Sequence, residues 1–166
     1  MTTYSSTVDT PAGAFTAVVD GDGAVLASGW TDDADALVAL IRADLRGTDQ
    51  PVPRRDLGPV TRAVIEYHRG ELTAPDGIAV RQTHGGPFLS AGWKVLRDVG
   101  PGRPITYSEL AARIGNPAAV RAAAASCGRN AAGLFVPCHR VIRTDGTLGG
   151  FRWGLTVKRW LLAHES

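Results

Sequence analysis

A chain of 166 residues with 44% apolar and 20% charged residues has the composition of a folded globular protein. It is long enough to bury about two-thirds of its unfolded surface without help from a disulfide or a metal. Two cysteines exclude a disulfide framework, and no stretch approaches the roughly 18–20 apolar residues of a membrane span. The opening Met1-Thr2-Thr3-Tyr4-Ser5-Ser6 has neither the basic region nor the apolar core of a secretory signal, so a cytoplasmic protein with reduced thiols is expected.

The net charge of +2 is unevenly spread. Residues 1–96 carry 8 Lys and Arg against 12 Asp and Glu, whereas residues 97–166 carry 10 against 4. Such a field on the C-terminal half steers anions toward it, nucleic acid among them, and equally suits a merely solvated basic face.

In chain order, Ala14 to Val19, the Asp20-Gly21-Asp22-Gly23 turn and Ala24 to Ala27 read as a hairpin. From Asp33 to Arg46, Leu37, Leu40, Ile41 and Leu45 recur at helical spacing and predict one helix. Residues 47–56 read as a loop. Val60, Val64, Ile65 and Tyr67 give a second helix ending at Gly70, and Ile78-Ala79-Val80 a further strand. Composition changes near Gly85-Gly86-Pro87, which places a domain boundary between residues 84 and 85. Phe88 to Val99 then forms an amphipathic helix with Trp93, Leu96 and Val99 inward. Thr106 caps a helix through Tyr107, Leu110, Ala111 and Ile114, which stops at Gly115-Asn116, and a new helix starts with Pro117 at its first position and runs to about Cys127. The fold class is α+β: a small N-terminal α/β domain (1–84), with a hairpin sheet plus helices, precedes a mostly helical domain (85–166) with a helix-turn-helix. The Ala122-Ala123-Ala124-Ala125 run allows close approach to a DNA groove, and alanines are also simply good helix formers.

The chemistry lies in Leu134-Phe135-Val136-Pro137-Cys138-His139-Arg140-Val141-Ile142, where a thiol, an imidazole and a guanidinium sit between two apolar runs. Adjacent residues diverge on a strand or a helical turn, so a water between them is the economical route for His139 to take the thiol proton. A free cysteine is only about 3% thiolate at neutral pH, and Arg140 with a nearby helix N-terminus can raise that fraction. The alternatives are a buried inert thiol and a zinc site of Cys127, Cys138, His139 and His164. The spacing of those four is unlike the close pairs of structural zinc sites, so no metal and no cofactor is expected.

Pro137-Cys138-His139-Arg140-Val141-Ile142 is similar to the active-site signature of the O6-alkylguanine-DNA alkyltransferases. The resemblance extends from about Gly86 to Glu165 through Pro87-Phe88, Tyr107, Gly115-Asn116-Pro117, Arg121, Asn130, Gly146, Gly149, Lys158 and Leu161-Leu162, roughly half the chain. It implies direct-reversal DNA repair, with Cys138 as the alkyl acceptor in a single-turnover transfer, irreversible because a thioether has no easy hydrolytic exit. His139 would act through water with Glu165 orienting it, Asn130 would brace the turn, and Tyr107 would donate toward the departing guanine. Arg121 would fill the gap left by a flipped base, with Ala122, Ala123 and Arg129 beside it on a surface for the minor groove of double-stranded DNA. Pro137, Phe151, Arg152 and Trp153 would line the substrate pocket. Phe151 stands where a tyrosine is frequent, and Arg152-Trp153 where small residues are common, so the indole either narrows the pocket or stacks on a bulky adduct. O4-alkylthymine is a further expected substrate. A monomer is expected because the chain needs no partner to complete a core, acting in the cytoplasm at the bacterial nucleoid. A different class of reading is a non-enzymatic lesion sensor or a transcription regulator with a helix-turn-helix. Such sensors lack the acceptor cysteine, and the alanine run gives a regulator almost no side chains for base edges.

Overall fold

A computed structural model describes residues 1–82 and 86–166. Helices and a small mixed sheet make an α+β chain with two compact units, Met1–Gln82 with Ala131–Phe135, and residues 86–130 with Val136–Ser166. The boundary expected between residues 84 and 85 lies outside the described residues. Among the described residues no helix is long and apolar enough to cross a membrane.

In the first unit β1 (Tyr4–Thr10), β2 (Gly13–Val19) and β3 (Val25–Gly29) form an antiparallel meander, and β4 (Val52–Pro53) adds parallel to β1, for the order β3-β2-β1-β4. The Asp20 side chain holds the β2–β3 turn, its Oδ1 accepting from the Asp22 and Ala24 amides, while Gly23 takes φ +84°. Neither β1 nor β4 has a clear alternating pattern, and the sequence reading missed both. Ile78 to Val80 meets β3 in a single bridge, Val25 to Val80, in place of the expected strand.

The single helix expected over 33–46 is two short ones, α1 (Ala34–Val38) and α2 (Ala43–Arg46). Leu40 and Ile41 close i to i−3 bonds and Arg42 turns extended, which ends the helix while Leu37 and Ile41 both stay buried. α3 (Pro59–His68) brings His68 edge-on to Phe15 and Trp30, with Tyr67 packed edge-on against His68. The Trp30 indole N–H donates to His68 Nε2 at 3.2 Å, and Nδ1 lies 2.7 Å from the Val64 carbonyl, a pairing that requires the neutral ring.

Ala131–Phe135 belongs to this unit because Ser28 binds it from both sides. The Ser28 amide donates to Ala131 O, the Gly133 amide to Ser28 O, and the Ser28 hydroxyl to Gly133 O at 2.7 Å. Leu134 then takes φ +77°, the one positive-φ non-glycine among the described residues, just before the cysteine motif. Such a conformation costs on the order of 1–3 kcal/mol and persists only where packing imposes it. Here both neighbours, Gly133 and Phe135, are buried.

The second unit contains α4 (Gly86–Arg97), β5 (Ile105–Thr106), α5 (Tyr107–Ile114), α6 (Val120–Gly128), β6 (Val141–Ile142) and α7 (Leu155–Glu165), with a 3₁₀ turn at Cys138–Arg140. Thr106 and Glu109 form a reciprocal capping box, and Gly115 ends α5 at φ +112°. α6 starts three residues later than expected. The Ala119 amide bonds to Asn116 O, so Pro117 and Ala118 form a turn before the helix begins.

α4 and α6 meet at Gly92, where an added Cβ would lie 2.8 Å from the Ser126 Cβ, and the Trp93 indole donates to Ser126 O. Gly92→Ala is therefore expected to lower stability by about 1–3 kcal/mol through overpacking, despite alanine's better helix propensity. A fall of several degrees in Tm would show it, and an unchanged or raised Tm would contradict it.

Candidate active site

The 3₁₀ turn decides how the motif's three polar residues diverge. Cys138, 8% exposed, lines a cavity of about 400 Å³ with Tyr107, Ala124, Cys127, Gly128, Asn130, Gly150, Phe151, Arg152 and Trp153. His139 and Arg140 do not line it, and both point into packed protein with Glu165. His139 Nε2 lies 2.8 Å from Glu165 Oε2, while Arg140 donates from Nε to Oε1 and from Nη2 to Oε2, each at 2.9 Å. Pro137, expected in the pocket wall, is buried and does not line the cavity. The Asn130 amide nitrogen donates to Val136 O at 2.8 Å, tying the end of α6 to the start of the turn.

Burial pushes the Cys138 thiol up, and an Asn130 hydrogen bond with the charges of Lys158 and Arg152 only partly offsets it. The resting group is thus the thiol, and a base must remove its proton before the sulfur becomes a strong nucleophile. Arg140, expected to supply positive charge to this thiol, is instead engaged by Glu165 and by Val99 O. Burial also pushes the His139 imidazole down. The Glu165 bond and charge pull it up, Arg140 and Lys158 push it down again, and the net direction is below its ordinary value. Burial alone would raise the Glu165 carboxyl, but bonds from His139 and Arg140 bring it far below the usual carboxylate range. The carboxylate therefore accepts, and the neutral ring carries its proton on Nε2, with Nδ1 as the basic nitrogen.

Tyr107 is pushed up to about 12, by burial first and then by Cys127 and Cys138, so its hydroxyl remains a donor at neutral pH. Gly149, at φ +73°, makes room for it: a Cβ there would lie 2.8 Å from the phenol oxygen. Arg152 reaches from the loop after Gly150 to Gly128 O at the end of α6.

Lys158 is fully buried, and its ammonium donates to Val141 O (2.7 Å), Leu148 O (2.5 Å) and Gly150 O (3.2 Å). Sequence reasoning gave it no role, although Lys158, Leu161 and Glu165 fall at i, i+3 and i+7 on one helical face, a pattern that signals a buried cation. Cys127 as a second thiol in the cavity wall was also missed.

Of the residues assigned to a DNA surface, Arg121, Ala122 and Arg129 are exposed and none lines the cavity. Ala123 is fully buried and has no surface to offer, because it faces inward on α6, which corrects its assignment. Among the described residues no group of three His, Cys, Asp or Glu stands close enough to hold a metal ion. A second cavity, of about 390 Å³ beside Asp98, Arg103 and Arg113, contains no nucleophile.

A buried cysteine opening on a cavity, with a histidine and a carboxylate packed behind it, is an arrangement that thiol nucleophiles use. Residues 87–166 match the family profile described as the 6-O-methylguanine DNA methyltransferase DNA-binding domain. A methylated-DNA–protein-cysteine methyltransferase of Shigella flexneri is 33% identical over 159 residues, 95% of this chain and 92% of that one. The Mycobacterium tuberculosis O6-methylguanine methyltransferase superposes with a TM-score of 0.79 at 28% identity, covering 98% of this chain and 92% of that one. A M. tuberculosis OGT solved in complex with DNA gives 0.79 at 27% identity, with the same coverage. The chain belongs to the methylated-DNA–protein-cysteine methyltransferase family.

Proposed function

We propose that this protein repairs alkylated DNA by direct reversal, transferring the alkyl group from O6 of a guanine to Sγ of Cys138. The observation that carries the reading is the Cys138 thiol in the wall of a 400 Å³ cavity with the His139–Glu165 pair behind it. His139 takes the thiol proton through a water. Sulfur then attacks the O6-bound carbon, a C–S bond forms as the C–O6 bond breaks, and the electron pair leaves on the guanine. Tyr107, a phenol that stays protonated, donates to the ring as that charge develops, an interaction strongest in the transition state. Asn130 holds the turn and accompanies the sulfur. The thioether has no easy hydrolytic exit, so each molecule acts once.

The reacting carbon lies inside the base stack, so the guanine must flip out. α5, the turn and α6 act as a helix-turn-helix whose exposed Arg121, Ala122 and Arg129 meet the minor groove, with Arg121 filling the vacated position. The excess of basic residues in the C-terminal half supports phosphate contacts without sequence preference. Phe151, Arg152 and Trp153 bound the adduct side of the cavity. The same pocket takes O4-alkylthymine. The protein works as a monomer in the cytoplasm, on the nucleoid.

Incubating graded amounts of protein with a duplex containing one O6-methylguanine, then assaying the remaining lesion, tests this. Lesion loss is expected to equal the protein added, one to one. Binding without lesion loss would instead favour a damage sensor.

A further inference from the structure

Glu165 has more partners than orienting a histidine requires. Its Oε1 accepts from Arg140 Nε, and its Oε2 is shared between Arg140 Nη2 and His139 Nε2. The remaining Arg140 nitrogen, Nη1, donates to Val99 O at 2.7 Å, just beyond α4. Arg140, Glu165 and His139 are all buried, and Gly102 packs so closely on the last turn of α7 that a Cβ would lie 2.8 Å from Glu165 O. The Glu165 carboxylate is held as firmly as a core residue.

A buried carboxylate beside an imidazole, with nothing else to balance it, favours protonation of the ring. An imidazolium at rest has no capacity to accept the proton of Cys138. A guanidinium on both carboxylate oxygens balances that charge in a fixed plane, which a point charge does not.

We propose that Arg140 is a positioning residue for the transfer: its fork on Glu165, anchored at Val99, lets the carboxylate orient His139 while keeping the resting ring neutral. This rests on the reading of His139 as the base for Cys138. The charged groups acting on the ring are Glu165 and Lys158 from α7 and Arg140 from its own turn. Of these, Glu165 alone draws a proton onto the ring while Arg140 and Lys158 oppose it.

The test is the pH profile of single-turnover methyl transfer from a duplex with one O6-methylguanine, for the wild type, Arg140→Met and Arg140→Lys. Without the guanidinium Glu165 raises the basicity of His139, so the acid limb of Arg140→Met is expected at least one pH unit higher, a tenfold lower rate along that limb. Arg140→Lys keeps the charge and recovers most of the limb's position at a reduced plateau, and DNA affinity is unchanged in both. A limb that superimposes on the wild type's, with only a uniform loss of rate, overturns the proposal. Should Arg140→Met fail to fold, the ring nitrogen resonances of His139 in the wild type decide: a neutral ring protonated at Nε2 at pH 7 is expected, and an imidazolium overturns it. A wild type that transfers no methyl group sinks the reading of function beneath, while the same resonances still decide whether His139 rests neutral.

Discussion

Glu165→Gln is expected to lower the stability of the protein by about 3–5 kcal/mol, the usual cost of removing one member of a buried ion pair. The substitution is nearly isosteric, so the loss reports charge. Arg140 keeps its Val99 bond, but the amide offers one acceptor oxygen where the carboxylate offered two, so His139 Nε2 and the two Arg140 donors cannot all be satisfied. The folded-state carboxyl lies far below its ordinary value of about 4.3. A depressed carboxyl stabilises the fold fully above the unfolded value and loses that contribution as pH falls through the folded one. The difference between wild type and Glu165→Gln in denaturant melts is thus expected to be full at pH 7, nearly full at pH 5 and to shrink only below about pH 4. A difference confined to neutral pH, or a melt unchanged by the substitution, would contradict the buried network.

Lys158→Met is expected to slow alkyl transfer at least tenfold while leaving DNA affinity nearly intact. Methionine matches the aliphatic stem but has no donors, so Val141 O, Leu148 O and Gly150 O lose their common partner. Unsatisfied buried carbonyls cost about 1–3 kcal/mol each when nothing replaces the bond. Two of the three belong to the loop leading into Phe151, Arg152 and Trp153, so the cavity wall loosens. The same change removes one of the two positive charges acting on the Cys138 thiol, which then ionises at still higher pH. Reaction of Cys138 with a small thiol reagent across pH separates the effects: a displaced titration reports lost charge, and a slower transfer with unmoved titration reports the loosened wall. Wild-type rates in both assays would mean that Lys158 does neither.

What the sequence revealed was the local chemistry. The Thr106 cap and the Gly115 stop are side-chain and backbone rules that act within one turn, and both stand in the structure. Helix breaks depend on what lies beyond the segment, and Leu37 and Ile41, four apart on one helical face and both buried, gave no sign of the break at Arg42. β1 and β4 escaped for a similar reason: Val52 and Pro53 form a strand only because β1 offers its edge. The motif pointed to Cys138, His139 and Glu165 through resemblance, but it assigned Arg140 to the wrong partner. Chain adjacency put that guanidinium next to the thiol, whereas a 3₁₀ turn sends consecutive side chains about 120° apart. Lys158 and Cys127 approach the site from helices distant in sequence, and no local rule joins them to residue 138.

Acceptance of the alkyl group by Cys138 is tested most directly by the intact mass and peptide map of the protein after reaction with a duplex carrying a single O6-methylguanine, beside Cys138→Ser. One methyl group on the peptide containing Cys138, in proportion to protein and absent from the variant, is the expected result. A methyl group on Cys127, or none on a protein that binds the duplex with its thiols intact, would contradict it.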